Sequence, residues 1–137
     1  MTDIKAAFIE FLLAQSEVTD LVGDRIEPSG SATSSGYPRI TFDRISVPNE
    51  HHQGGSAGLA SLTLQVNSLA LTSKKADEIT ETLREVLDGL EHTTWGSVEI
   101  LSCFKENDAD DIVEPDTGEE QIVYRVRSDY LIWYRED

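Results

Sequence analysis

The closing stretch Glu119–Asp137, EEQIVYRVRSDYLIWYRED, decides how the rest of the chain is read. Ile122, Tyr124, Val126, Tyr130, Ile132 and Tyr134 fall on even positions, interrupted only by Ser128, while Gln121, Arg125, Arg127, Asp129 and Arg135 fall on odd ones. β-branched and aromatic residues repeating every second position, with no Gly or Pro inside, predict one long strand with a buried even face. Some 15 residues at roughly 3.3 Å each exceed the usual strand, so a bend or bulge is expected near Ser128. The odd face also carries Val123, Leu131 and Trp133 among its charges. That second face is expected to meet a helix of this chain or another subunit.

Working backwards, Val98–Phe104 alternates and predicts a strand over Gly96–Lys105, with Val98, Ile100, Ser102 and Phe104 on one face. Before it, Thr72 or Ser73 opens a helix that runs to Asp88. Its stripe of Ala76, Ile79, Thr80, Leu83, Val86 and Leu87 faces a core, and Gly89 stops it. Burying its large apolar side chains at about 1.5–3 kcal/mol each is enough to dock it on a sheet. Strands are expected at Pro38–Ser46 and around Leu62–Val66, paired as a hairpin, and a brief one at Arg25–Glu27. Asp3–Gln15 reads as the first helix with Thr2 as its cap, and Glu17–Val22 as a short helical turn closed by Gly23. Three long connections remain: Pro28–Gly36, Val47–Gly58 and the acidic run Glu106–Glu120. The expected class is α+β, an antiparallel sheet packed with two α-helices and long loops between strands, in a single domain over 1–137.

Charge narrows the function. Lys and Arg total 11 against 26 Asp and Glu, a net charge of −15, which argues against nucleic-acid recognition or an anionic membrane surface. The one cysteine, Cys103, permits no internal disulfide, and the opening MTDIKAAFIEF reads as neither a signal peptide nor a span, so a reducing cytoplasm is expected. Cys103 is expected to be a buried small hydrophobe, since nothing local would lower its pKa.

The acidic run contains eight carboxylates, Asp108, Asp110 and Asp111 among them, and neither Lys nor Arg. It lacks the glycine and terminal glutamate of an EF-hand loop, so a solvated or partner-facing connection outweighs an irregular metal site. His51 and His52 are adjacent, and adjacent side chains on extended backbone point opposite ways, which disfavours a shared zinc. No phosphate loop, nucleophile elbow or dinucleotide fingerprint occurs, so no enzyme, cofactor or metal is expected. Trp95, beside Gly96, is expected to cover the end of the Ser73–Asp88 helix or to lie in a core.

Several motifs together resemble the tail completion or tail terminator proteins of long-tailed bacteriophages, prophages and gene transfer agents. They are VTDLVGDRI (Val18–Ile26), YPRITFDRIS (Tyr37–Ser46), HHQGGSAGLA (His51–Ala60), LQVNSLA (Leu64–Ala70), KKADEITETLREVLDGL, EPDTG (Glu114–Gly118) and DYLIWYRE (Asp129–Glu136). The resemblance covers nearly the whole chain, and it lies in the order and spacing of motifs that are individually short. It implies a structural protein of the virion, assembled in the host cytoplasm as a hexameric ring on the head-proximal end of the tail tube. Such a ring would end tube growth and join a head connector, so the implied partners are itself, the tube protein and the connector. A head completion or connector protein of the neck is the alternative, with a small enzyme behind it. The family carries no catalytic motif. The expected contact residues are His51, His52, Gln53, Asp108, Asp110, Asp111, Arg125, Arg127 and Trp133, with Arg125 and Arg127 meeting a neighbour's acidic loop.

Overall fold

The period-two stretch near the C-terminus forms β6 (Val123–Arg135), and it sits inside the sheet rather than at its edge. The computed structural model describes residues 4–29, 36–46, 59–113 and 122–135. In chain order these form α1 (Ile4–Leu13), α2 (Ser16–Val22), β1 (Ile26–Pro28), β2 (Arg39–Ser46), β3 (Leu59–Ala70), α3 (Ser73–Leu87), β4 (Leu90–Trp95), β5 (Val98–Val113) and β6. One six-stranded sheet results, in the order β1-β2-β3-β6-β5-β4. All neighbours are antiparallel except β1 and β2, which are parallel.

Two parts of the expected class are therefore corrected. EVTDLV belongs to a full seven-residue helix, Ser16–Val22, giving three helices rather than two. The sheet is mixed, because β1 follows a helix and returns alongside β2 in the same direction. The β2–β3 hairpin pairing, the α3 boundaries and its cap agree with the sequence reading: Thr72 Oγ1 accepts the Lys75 backbone N–H at 3.1 Å.

The three helices lie on one face. Even-numbered Val126, Ser128, Tyr130 and Ile132 of β6 join Ile40 and Phe42 of β2, Leu62, Leu64 and Val66 of β3, and Ile79, Leu83 and Leu87 of α3 in the core. Ser128 fits this apolar row because its Oγ lies 2.7 Å from Asp108 Oδ1. Phe8 of α1 meets Phe42 edge-on at 4.9 Å, and Trp95 stacks on Phe11 at 5.3 Å. Trp95 thus seals α1 against β4, not the end of α3.

No bulge occurs in β6 against β3, where twelve consecutive residues pair in register from Leu59↔Arg135 to Ala70↔Tyr124. The irregularities lie in β5 instead, with one extra residue between Ile100 and Ser102 and another between Lys105 and Asn107. Each insertion reverses the side-chain phase. Cys103 consequently points into the core, fully buried, and Phe104 points out, 44% exposed. Simple alternation had paired Phe104 with the inward set. β5 also continues to Val113, so Glu106–Val113 is strand and not loop.

Gly96 turns the β4–β5 hairpin at φ +58°, and a Cβ there would come 2.5 Å from Glu10 Oε1. Gly96→Ala should cost about 1–2 kcal/mol through the left-handed conformation alone, read as a lower denaturant midpoint with an unchanged slope.

Candidate functional site: the open face of the sheet

Among the described residues, no helix covers the odd face of β6. Register places its features in bands. At one end Arg125 lies opposite Asp111 and makes a two-pronged contact, Nε to Oδ1 at 2.9 Å and Nη2 to Oδ2 at 2.7 Å. Arg127 Nη2 lies 3.8 Å from the same carboxylate. Next, Asp129 accepts from Asn107 Nδ2 at 3.0 Å and from Gln65 Nε2 at 3.5 Å. Then comes an apolar strip. Phe104 and Leu131 pair across β5 and β6, and Trp133, 42% exposed, follows on β6. Arg135 Nε lies 3.1 Å from Glu99 Oε1 at the far end.

The strip combines apolar chemistry with exposure, since Phe104 and Trp133 are both open to solvent. Two aromatic rings left in water on an uncovered sheet face are a standard anchor for association, since aromatic groups contribute large contact area with little entropy to lose. Two buried polar atoms on the same face, Asn67 Oδ1 and Arg127 Nε, have no hydrogen-bond partner among the described residues. Asn67 itself is held by its Nδ2 donating to Thr41 Oγ1 at 3.1 Å.

The expected contact residues separate into three groups. His51, His52 and Gln53 lie outside the described residues. Asp108, Asp110 and Asp111 sit on β5, and the structure brings Asp111 together with Arg125 and Arg127 inside one chain. Asp111 stands directly across the ladder from Arg125 and diagonally from Arg127, whose register partner is Ala109, so both arginines have a carboxylate of their own chain within 4 Å while staying partly exposed. Asp108 turns to the helix face, where Lys105 Nζ approaches it at 2.7 Å. Trp133 is on the open face, and Phe104, absent from the sequence-derived set, joins it through the β5 insertions.

Other chemistry is sparse. Burial pushes the Cys103 thiol up to about 12, so it is protonated and shielded at neutral pH. Burial likewise raises the Tyr130 phenol, whose enclosed oxygen has no hydrogen-bond partner among the described residues. An apolar recess of about 210 Å³ between Tyr37, Pro38, Ala70, Leu71, Thr72 and Lys75 offers a single charged group. Among the described residues no three His, Cys, Asp or Glu side chains cluster to hold a metal, and no helix is long and apolar enough to cross a membrane.

A six-stranded sheet with helices on one face and an aromatic strip on the other suits a protein that works by contact. The profile of the family described as tail completion protein gp17 matches residues 6–135. The chain belongs to that family. This tail completion protein is accordingly a structural component of phage tails. A chain of a structure described as the virion of a native gene transfer agent (GTA) particle is similar over 96% of this chain and 94% of that one, with a TM-score of 0.71. At 13% sequence identity that likeness establishes a common fold. No curated protein matches the chain.

The Arg125 hydrogen bonds hold the Asp111 carboxyl below its ordinary 3.8, against a smaller opposing effect of desolvation. A carboxyl depressed by folding stabilises the protein above its unfolded value, and that contribution disappears as pH falls through the folded one. Asp111→Asn should therefore cost about 0.2–1 kcal/mol at pH 7, given the partial exposure of the pair. As pH falls below 3.8 and on through the lower folded value, the difference should shrink, and the two proteins should converge in stability by urea titration once wild-type Asp111 is also uncharged.

Proposed function

We propose that the protein closes the head-proximal end of the tail tube as a ring of six copies, ending tube polymerisation and presenting the surface that a head connector joins. The observation that carries this reading is the open sheet face with its Phe104–Leu131–Trp133 strip, in a chain of the tail completion family. An apolar strip flanked by polar bands is the anatomy of a protein contact. A ring requires a heterologous contact, in which this strip meets a different surface of the next copy, and closure follows when the rotation between copies completes a circle.

Electrostatics opposes the assembly. Six copies at −15 would carry about −90, and exposed charges interact over about 10 Å at 0.1 M salt. Association should therefore strengthen as salt rises from low to moderate concentration, the sign expected when apolar contact works against like-charge repulsion. Sedimentation velocity across a salt series reads this directly, and a ring that dissociated with added salt would contradict it.

Replacing both Phe104 and Trp133 by Ser should abolish ring formation or tail attachment while changing the folding free energy by less than about 1 kcal/mol, as expected for exposed sites away from the core. The functional test is the tail-length distribution, by electron microscopy, in particles made without the protein. Overlong or unjoined tails beside filled heads are expected. Normal tails of uniform length would contradict the capping role, and normal-length tails with open, leaking heads would transfer the protein to the head side of the neck.

A further inference from the structure

The outer edge of β5 changes character halfway along. From Val98 to Cys103 it is covered by β4, whose first residue, Leu90, pairs with Cys103. Beyond that point β5 pairs only with β6. The Lys105 backbone N–H is met at 2.9 Å by Asp88 Oδ1, and past it no described residue pairs with the edge. Glu106–Val113 therefore presents roughly 26 Å of one-sided strand at about 3.3 Å per residue. Glu106, Asn107, Asp108, Ala109 and Asp110 are exposed in succession, so both faces of this segment, as well as its edge, are wet.

A row of unpaired backbone donors and acceptors is a template for strand addition. The side chains decide which strand. Glu106, Asp108, Asp110 and Asp111 line the segment; Asp108 is matched by Lys105 and Asp111 by Arg125. Glu106 and Asp110 have no cationic partner among the described residues. Pairing this edge with the same edge of a second copy would set acids against acids, which destabilises cross-strand pairs. The opposite margin of the sheet is a poor match as well. β1 spans only Ile26–Pro28, with a proline that cannot donate, and β2 extends past it only over Asp43–Ser46.

From these observations we infer that the Glu106–Val113 edge of β5 accepts an extended, lysine- or arginine-bearing segment of a different protein as an added strand. The charges and the extra residue at Glu106 exclude self-pairing and leave a basic strand as the fitting occupant. That the donor is another particle protein rests on the tail reading above; the strand-accepting property does not.

The probe is an acetylated, amidated decapeptide of alternating Lys and Val, added to the full chain at low salt, with amide hydrogen exchange followed by mass spectrometry. Exchange across residues 106–112 should slow by about tenfold, as for amides drawn into a ladder. The same peptide N-methylated at alternate residues should have no effect. The double variant Glu106→Lys, Asp110→Lys should lose the response to the Lys peptide and gain one to its Glu counterpart. Unchanged exchange would overturn the inference, as would equal protection by the N-methylated peptide, which would show charge adhesion without strand pairing. Protection that grew with protein concentration alone would assign the edge to a second copy and overturn the choice of a different protein. Tail length in particles lacking the protein is a separate readout, so failure here leaves the capping role standing or falling on its own test.

Discussion

The unbroken ladder between β3 and β6 is the constraint on which the other elements depend. Twelve register pairs without an insertion fix which side of β6 faces the helices, and a shift of one residue would exchange its two faces. The inward row then demands cover, which α1, α2 and α3 supply through Phe8, Val22, Leu83 and their neighbours. The outward row receives none within the described residues. A strand with apolar groups on both sides of a half-covered sheet is consistent only with burial of the second side elsewhere or with tolerated exposure. Membership of a tail family favours the former.

β5 accommodates this rigid pair. Its two extra residues let a sixteen-residue strand follow a thirteen-residue one while reversing phase twice. The first reversal sends Cys103 inward and Phe104 outward; the second restores pairing so that Asp111 stands opposite Arg125. Without these insertions Phe104 would enter the core and the strip on the open face would lose an aromatic ring. Local irregularity in β5 thus composes the surface that β6 begins.

The elements legible in the sequence were those with a strong period. β6 announced itself by alternation, α3 by its stripe with Thr72 before it and Gly89 after it, and β2 and β3 by short alternating runs around Phe42 and Leu64. The misreadings share a cause, which is that tertiary pairing overrode local pattern. Glu106–Val113 has the composition of a loop, yet pairing with Val123–Asp129 holds it as strand, where its acids meet Lys105, Ser128 and Arg125. The insertions at Leu101 and Glu106 have no Gly or Pro to mark them. The parallel β1–β2 pair joins segments whose separation in sequence hides their contact. Arg125 and Arg127 were legible as exposed cations, but not their shared carboxylate, because the register follows from the pairing of Val113 with Val123, which no residue pattern marks.

The central claim is that the open face, complete in fold but unfinished in contact, is buried in the particle. Hydroxyl-radical footprinting of Phe104, Leu131 and Trp133, comparing the isolated protein with purified particles, tests it with the native sequence. The account predicts ready oxidation of Phe104 and Trp133 in the free chain and strong protection in the particle, with the fully buried Trp95 protected in both. Equal reactivity of Trp133 in the two states would contradict it.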